Sequence, residues 1–175
     1  TSQQAEWFKR IEQDYSNILA AIDWALAARA GDETWKAGLA ILDHLHRYWM
    51  LRMHFHQGEQ YVTRARLSIE EYGHNHILNE NMLKLKADIY SLSGSIAWGS
   101  GNHSEACQYH EIAYHLYVQL HEEEGIAIAS NNWAANLFKV GNYNAALEKE
   151  KESLALYQKL GDAWGEIQQF HNLGV

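Results

Sequence analysis

Residues 141–162 read GNYNAALEKEKESLALYQKLGD, and forty positions earlier residues 101–110 begin in the same way, with GNHSEACQYH. When residues 87–126 are set over residues 127–166, eight positions are identical, and they fall at turns and at small or aromatic residues. The identical pairs are Ala87/Ala127, Gly101/Gly141, Asn102/Asn142, Ala106/Ala146, Leu116/Leu156, Tyr117/Tyr157, Leu120/Leu160 and Gly125/Gly165. A period of this length predicts a chain built from stacked supersecondary units.

The shared Gly-Asn dipeptide predicts a turn inside each unit. Glycine readily takes the left-handed conformation that ends a helix, so we expect a helix to end at Gly101 and another at Gly141. Asn102 and Asn142 are expected to cap the helices that follow, with Glu105 completing a capping box in the first of them.

Two other stretches extend this pattern. LGD at 160–162 repeats the device, with its glycine ending one helix and its aspartate starting the next. An earlier and more diverged copy is expected at 42–72, where Phe55 takes the place of His103. The repeat therefore predicts helix pairs joined by short turns.

The composition favours an all-α fold. The chain has no proline and 12 glycines, good helix formers dominate, and the alternation of β-branched residues that marks a strand is not sustained anywhere in the sequence. The apolar spacing predicts helices near 4–14, 16–30, 33–52, 56–72, 77–99, 103–120, 124–139 and 143–160, with another opening near 163. One apolar stripe consists of Gly38, Leu42, Leu45 and Trp49, and further core aromatics are expected at Trp24, Tyr90 and Trp133.

The bulk properties limit the classes of function. A net charge of −8 and a pI of about 5.7 give no basic surface for nucleic acid or an anionic membrane. One cysteine fits a reducing compartment, and the sequence has neither a signal-peptide pattern nor a run of about 18 apolar residues. We therefore expect a cytoplasmic protein. The first residue is not Met and the last residues stop inside an apolar pattern, so we expect a segment of a longer protein.

The small residues in both helices of a unit and the aromatic residue just after the turn resemble tetratricopeptide repeats (TPRs) of a longer, 40-residue kind. The proline usual near the end of the second TPR helix is absent, and LGD stands in its place. FHNLGV, at 170–175, resembles the opening half of another repeat. The resemblance implies a right-handed α-solenoid of antiparallel helix pairs in a single domain, 1–175. Its parts would be a cap region at 1–32, pairs at 33–76, 77–122 and 123–162, and a truncated repeat at 163–175.

Two N-terminal stretches, IEQDYSNILAAIDWALAARAGD (11–32) and HRYWMLRMHFHQGEQYVTRAR (46–66), resemble the start of the repeat region in bacterial STAND-type signalling ATPases and transcriptional regulators. In that family such a segment follows a nucleotide-binding module and senses an inducer or partner. The resemblance implies a non-catalytic module for signal transduction that needs no cofactor and binds a peptide, a protein, an inducer or other domains of its own chain. A free-standing TPR adaptor and a His-rich metal-binding protein are the alternatives.

The sequence has no GxxxxGK[ST] phosphate loop and no recognisable helix-turn-helix. ATPase or DNA-binding activity would therefore belong to parts of a parent protein outside this segment.

The repeat frame also nominates residues for partner binding. The first helices of TPR pairs line the concave groove, so the resemblance implies that Trp98 and Phe138 lie at its wall. The polar residues expected in the same groove are Asp43, Arg47, Ser91, Ser95, Asn131, Asn132 and His171. Such side chains suit hydrogen bonding and stacking on an extended peptide or a partner helix, and the alternative is that they are hydrated helix surface.

The histidines raise a metal-site hypothesis. His103, Cys107 and His110 share one helical stripe, but the first two overlie Tyr143 and Leu147 of the next unit, which favours packing. A lone helix also supplies only three ligands. The H-x-H pairs at 54–56 and 74–76 are expected to be surface or capping histidines. His44 and His46, two residues apart on a helix, point to different sides and are not expected to share one ion.

Catalytic chemistry is not indicated by the sequence. No nucleophile elbow or glycine-rich oxyanion loop accompanies Cys107. The carboxylates at 122–124 and 148–152 are expected to be solvated charge. We therefore expect this segment not to be an enzyme.

Overall fold

The computed structural model describes residues 2–28, 33–163 and 165, with side chains from residue 6 onward. Seven α-helices make up this part of the chain: α1 (Ser2–Leu26), α2 (Glu33–Arg52), α3 (Phe55–Asn75), α4 (Glu80–Gly99), α5 (His103–Leu120), α6 (Glu123–Lys139) and α7 (Tyr143–Leu160). None of the described residues lies in a strand, so the all-α prediction is confirmed. None of the seven helices is long and apolar enough to span a membrane.

Helix α1 differs from the prediction of two helices at 4–14 and 16–30. It runs unbroken through Tyr15, whose hydroxyl accepts a hydrogen bond from Trp49 Nε1 at 2.8 Å and donates one to Gln57 Oε1. The neighbouring Asp14 and Ser16 are exposed. The polar residues at the predicted break are therefore hydrated on the outer face of a continuous helix.

The chain divides into two compact units, Thr1–Ile77 and Leu78–Val175. Unit 1 contains α1 to α3, with α2 packed against both neighbours. In unit 2, α5 packs against α4 and α6, α6 packs against α7, and α4 also touches α6. The division falls next to the expected boundary between the first two helix pairs.

The core of unit 1 is built on the predicted stripe of α2. Leu42 and Trp49 are fully buried, and a Cβ added at Gly38 would lie 2.5 Å from the Cβ of Ala25 on α1. The prediction for Trp24 is wrong, because this side chain is 71% exposed. Helix α1 turns Ile22 and Ala25 into the core instead, which leaves Trp24 on the outside.

The core of unit 2 has a contact that recurs after forty residues. Gly125, at the start of α6, lies directly against the ring of Tyr117, and Gly165 lies in the same way against Tyr157. A Cβ at either glycine would overlap the ring. The identity of these pairs in the sequence therefore reflects one packing arrangement used twice. Of the two other aromatic residues predicted in the core, Tyr90 is buried as expected, whereas Trp133 is only half-buried.

The predicted turns form, although by a different hydrogen-bond pattern. Gly101 and Gly141 have φ of 82° and 86° and end α4 and α6. The N–H of Gly101 donates to the carbonyl of Trp98, and that of Asn102 to the carbonyl of Ala97 at 2.8 Å, as in a Schellman motif. Gly141 and Asn142 repeat both bonds with Phe138 and Leu137.

The asparagine caps predicted at these turns are wrong. Neither Asn102 nor Asn142 accepts a hydrogen bond from the following helix, because ψ near 60° departs from the extended backbone of an N-cap. Glu105 does not complete a capping box, and its carboxylate accepts from the Tyr109 hydroxyl at 2.6 Å. Asp162 does act as predicted, since its Oδ1 accepts from the N–H of Gly165 at 3.1 Å.

Unit 1 contains the same turn with a different residue. Helix α3 begins at Phe55 as α5 begins at His103, and Met53 stands two residues earlier, where Gly101 stands. Met53 has φ of 58°, the left-handed conformation that favours glycine. The diverged copy predicted from the sequence therefore has the turn conformation of the later units.

Candidate functional site: the exposed face of α4 and α6

Two aromatic side chains project from neighbouring helices of unit 2. Trp98 is 45% exposed near the end of α4, and Phe138, forty residues later, is 59% exposed near the end of α6. Each is preceded by a buried apolar residue, Ala97 or Leu137, so the helices are anchored by their other faces. Large exposed aromatic residues at equivalent positions are typical of a contact surface.

Phe138 continues into an open groove between α6 and α7. Its ring packs edge-on against the exposed ring of Tyr143, with the centroids 5.2 Å apart. The groove has a volume of about 420 Å³ and is also lined by Ala134, Leu147 and Glu150. Lys139 lines it as well, so the groove combines apolar walls with one carboxylate and one ammonium group.

Four of the predicted polar residues lie on the same two helices as Trp98 and Phe138. Ser91, Ser95, Asn131 and Asn132 are all half-buried on α4 and α6. The Ser95 hydroxyl donates to the backbone carbonyl of Ser91 at 3.1 Å, so it keeps only acceptor capacity for a partner. The face can therefore offer amides, a hydroxyl oxygen and two aromatic rings.

The other three predicted groove residues are not among the described residues of α4 and α6. Asp43 and Arg47 are exposed on α2, within unit 1. His171 lies outside the described residues. Six of the nine predicted residues lie on α4 and α6 of unit 2, namely Ser91, Ser95, Trp98, Asn131, Asn132 and Phe138.

Asn136, a buried amide that the sequence does not single out, connects α6 to α5 next to this face. Asn136 is 1% exposed, its Nδ2 donates to the carbonyl of Asn132 at 2.8 Å, and its Oδ1 lies 3.3 Å from His103 Nδ1. This pair joins α6 to the first turn of α5. The repeat frame gave no signal for it, because the residue forty positions earlier is Ile96.

The stretch GNHSEACQYH is built for packing. His110, whose counterpart is Glu150, is the most buried of its three candidate ligands at 1% exposure, while His103 and Cys107 are half-buried. Burial, followed by the nearby Glu111 charge, raises the pKa of the Cys107 thiol, which disfavours the thiolate that a metal would need. Within the described ranges no three His, Cys, Asp or Glu side chains are grouped to hold a metal ion.

Three sequence interpretations of single residues need correction. Tyr143 and Leu147, expected as packing positions, are 62% and 45% exposed, because they line the open groove. Glu150, expected as solvated charge, is only 8% exposed. It lies at the position of His110, on the face that each second helix turns toward its neighbours.

Comparison with known proteins identifies the fold only. No protein-family model matches the chain, and no curated protein matches it. A similar solved structure is that of BtubC (BKLC) from P. vanneervenii, with a TM-score of 0.73 and 19% sequence identity. The match covers 94% of this chain and 64% of the BtubC chain, so this chain corresponds to less than two thirds of that protein. At this identity the likeness supports a shared helical fold and carries no function across.

Proposed function

We propose that this chain is a non-catalytic protein-interaction module that binds a peptide or protein partner on the face formed by α4 and α6. The observation that carries the proposal is the exposure of Trp98 and Phe138 at equivalent positions of two adjacent helices. Aromatic side chains held rigidly on helices provide large contact areas at a low cost in conformational entropy. The half-buried amides and the serine oxygen beside them supply the hydrogen bonds that orient a ligand.

The architecture that we propose for this module is a right-handed solenoid of TPR-like helix pairs. It is supported by the glycine turns at 101 and 141, by the repeated contact of Gly125 and Gly165 with a tyrosine ring, and by the left-handed Met53 at the matching turn of unit 1. In such an array each repeat touches only its neighbours. A partner bound across α4 and α6 would then change how these two helices pack, which is a direct way to report occupancy.

The parent protein that we propose is a bacterial STAND-type signalling ATPase or transcriptional regulator, located in the cytoplasm, in which this segment senses the partner. A free-standing adaptor that scaffolds other proteins is the alternative. The coding sequence upstream of residue 1 distinguishes them, because a phosphate-binding loop there favours the signalling ATPase. An independent open reading frame without that loop favours the adaptor.

The binding proposal is tested by replacing Trp98 and Asn131 with alanine together. Both side chains lie at least partly on the surface, so the melting temperature should stay close to that of the wild type while recovery of the partner falls. Affinity capture from the source organism, followed by quantitative mass spectrometry, measures the recovery. A collapse in thermal stability would place these residues in the core and exclude this face as the binding site.

A further inference from the structure

The buried amide of Asn136 determines which nitrogen of the His103 ring carries the proton. A backbone carbonyl only accepts hydrogen bonds, so the part of the amide that faces the carbonyl of Asn132, 2.8 Å away, must be the Nδ2 donor. This orientation turns Oδ1 of Asn136, which is also only an acceptor, toward His103 Nδ1 at 3.3 Å. The neutral ring therefore carries its proton on Nδ1, and its Nε2 keeps a lone pair.

The Nε2 atom of His103 is accessible to a ligand. The ring is half-buried, and the described residues provide no hydrogen-bond partner for Nε2. This atom is not one of the buried polar atoms that lack a partner, so it reaches the surface. Asn136 is 1% exposed and makes both of its hydrogen bonds inside unit 2, so the ring is held in one orientation.

The repeat shows where this acceptor lies relative to the candidate site. Three residues that line one groove between α6 and α7 are Ala135, Phe138 and Tyr143. Their counterparts forty residues earlier are Ser95, Trp98 and His103. The turn between the helices has the same conformation in both places, since Gly101 and Gly141 have φ of 82° and 86° and the same backbone hydrogen bonds follow. His103 therefore lies on the surface that carries Trp98.

A second acceptor lies on the same surface. The Ser95 hydroxyl donates its only proton to the carbonyl of Ser91 at 3.1 Å, so it can only accept a hydrogen bond from a partner. Ser95 precedes Trp98 by three residues on α4, and His103 begins α5 after the turn. A group that packs on the Trp98 ring thus meets two neutral acceptors.

We propose that His103 is a specificity-determining residue of the face of α4 and α6, and that its Nε2 accepts a hydrogen bond from an N–H or O–H group of the partner. The inference rests on the proposed function, because it assigns the chemistry of the partner at the same face. A segment with amide, hydroxyl or ammonium groups beside its apolar anchor fits His103 and Ser95. A carboxylate would lose hydration there without gaining a donor from either residue, and the net charge of −8 also disfavours an acidic partner.

Nuclear magnetic resonance of the ring nitrogens tests the tautomer. Long-range ¹H–¹⁵N spectra of the whole chain at about pH 8, where an ordinary histidine is neutral, should show His103 with a protonated Nδ1 and an unprotonated Nε2. Asn136→Leu removes the amide and should move the proton toward Nε2. A wild-type His103 protonated on Nε2 would overturn the proposal, and this spectrum decides alone if Asn136→Leu is not folded.

Diethyl pyrocarbonate, which acylates unprotonated imidazole nitrogens, tests the accessibility of Nε2. Peptide mass spectrometry of the treated chain should find His103 modified, whereas His110, which is 1% exposed, should be protected. The protein recovered by affinity capture should then protect His103 from the reagent. A chain in which His103 does not react, or reacts equally with and without the bound protein, would contradict the assignment.

Matched substitutions test recognition itself. His103→Phe keeps an aromatic ring, which this position of the repeat accommodates as Tyr143, and removes both nitrogens. In calorimetric titrations with the captured protein it should weaken binding at least about tenfold, because the donor of the partner loses its acceptor. His103→Gln keeps an acceptor of similar reach and should lose less. His115→Phe, at an exposed position of α5, is the control and should bind like the wild type.

The outcomes separate this inference from the proposed function. If Trp98→Ala weakens binding and His103→Phe does not, the inference about His103 fails while the face remains the binding site. If neither substitution weakens binding, the proposed function fails and the inference fails with it. Equal weakening by His103→Gln and His103→Phe would also overturn the inference, because it would show that the shape of the ring matters and its acceptor does not.

Discussion

The imidazole of His110 lies directly on Gly94, so that a Cβ added to this glycine would be 2.6 Å from the ring. His110 is on α5 and Gly94 is on α4, and both are buried. Forty residues later the pair becomes Glu150 and Ala134. A histidine in this chain thus occupies a packing position that requires a glycine opposite it.

Gly94→Ala should destabilise the chain by about 1–3 kcal/mol, the usual penalty for an overpacked core. Replacing glycine with alanine also improves helix propensity by about 1 kcal/mol. The destabilisation given above is the net of the two effects. Urea denaturation followed by circular dichroism measures the difference.

His110→Ala provides the control for this prediction. Removing the ring makes room for the new methyl group, so Gly94→Ala should cost little or nothing in the His110→Ala background. An additive double-mutant cycle would contradict the packing explanation.

Met53→Gly should stabilise unit 1 by about 1 kcal/mol, because it removes the strain of a left-handed non-glycine residue. Met53 is largely exposed, so little packing is lost. Thermal denaturation should show a higher melting temperature. The converse change, Gly101→Ala, should lower it, since φ of 82° disfavours a side chain. A lower melting temperature for Met53→Gly would contradict this prediction, because it would show that the Met53 side chain stabilises the turn by more than its left-handed backbone costs.

Lys149 joins three helices of unit 2. Its Nζ lies 3.7 Å from the ring centroid of Tyr114 on α5, 5.0 Å from that of Trp133 on α6, and 2.8 Å from the carboxylate of Glu152 on α7. Lys149→Met should therefore lower the free energy of unfolding by about 1 kcal/mol, the scale of a partly desolvated cation–π contact. Lys151→Met, at an exposed position of the same helix, is the matched control. Equal effects of the two substitutions would show that the aromatic contacts add nothing.

Stability should fall as the pH drops below about 6.5 because of His46. Burial lowers its pKa below the ordinary value of 6.5, and the nearby Asp43 carboxylate opposes this only in part. Below pH 6.5 the unfolded chain takes up a proton that the folded chain resists, so the free energy of unfolding decreases from there down to the folded-state pKa. Urea denaturation of wild type and His46→Gln at about pH 7.5 and about pH 5 should show a smaller loss for the variant. An equal loss in both proteins would exclude His46 as a source of the pH dependence.

The helices were largely predictable from the sequence because turns and apolar spacing are local signals. The predicted bounds 33–52, 103–120 and 143–160 match α2, α5 and α7, since a glycine stands close to most of their ends. The break predicted within α1 is wrong because Tyr15 is held by side chains on α2 and α3, contacts that no local pattern reveals.

The candidate site was predictable only in part. Trp98 and Phe138 stood out because they share one position of the repeat, and both are exposed. Asn136 and Glu150 gave no such signal, because their burial depends on which helix packs opposite them. Trp24 is the opposite case: its hydrophobic side chain suggested a core position, but α1 turns Ile22 and Ala25 into the core and leaves Trp24 exposed.

The affinity of a captured partner for Trp98→Ala tests the central claim most directly. Isothermal titration calorimetry should give a dissociation constant at least about tenfold weaker than that of the wild type, because truncation of a central aromatic anchor commonly costs about 2 kcal/mol. Trp24→Ala, which removes an exposed tryptophan from unit 1, should bind like the wild type. Undiminished binding by Trp98→Ala, or an equal loss in both variants, would contradict the assignment of partner binding to the face of α4 and α6.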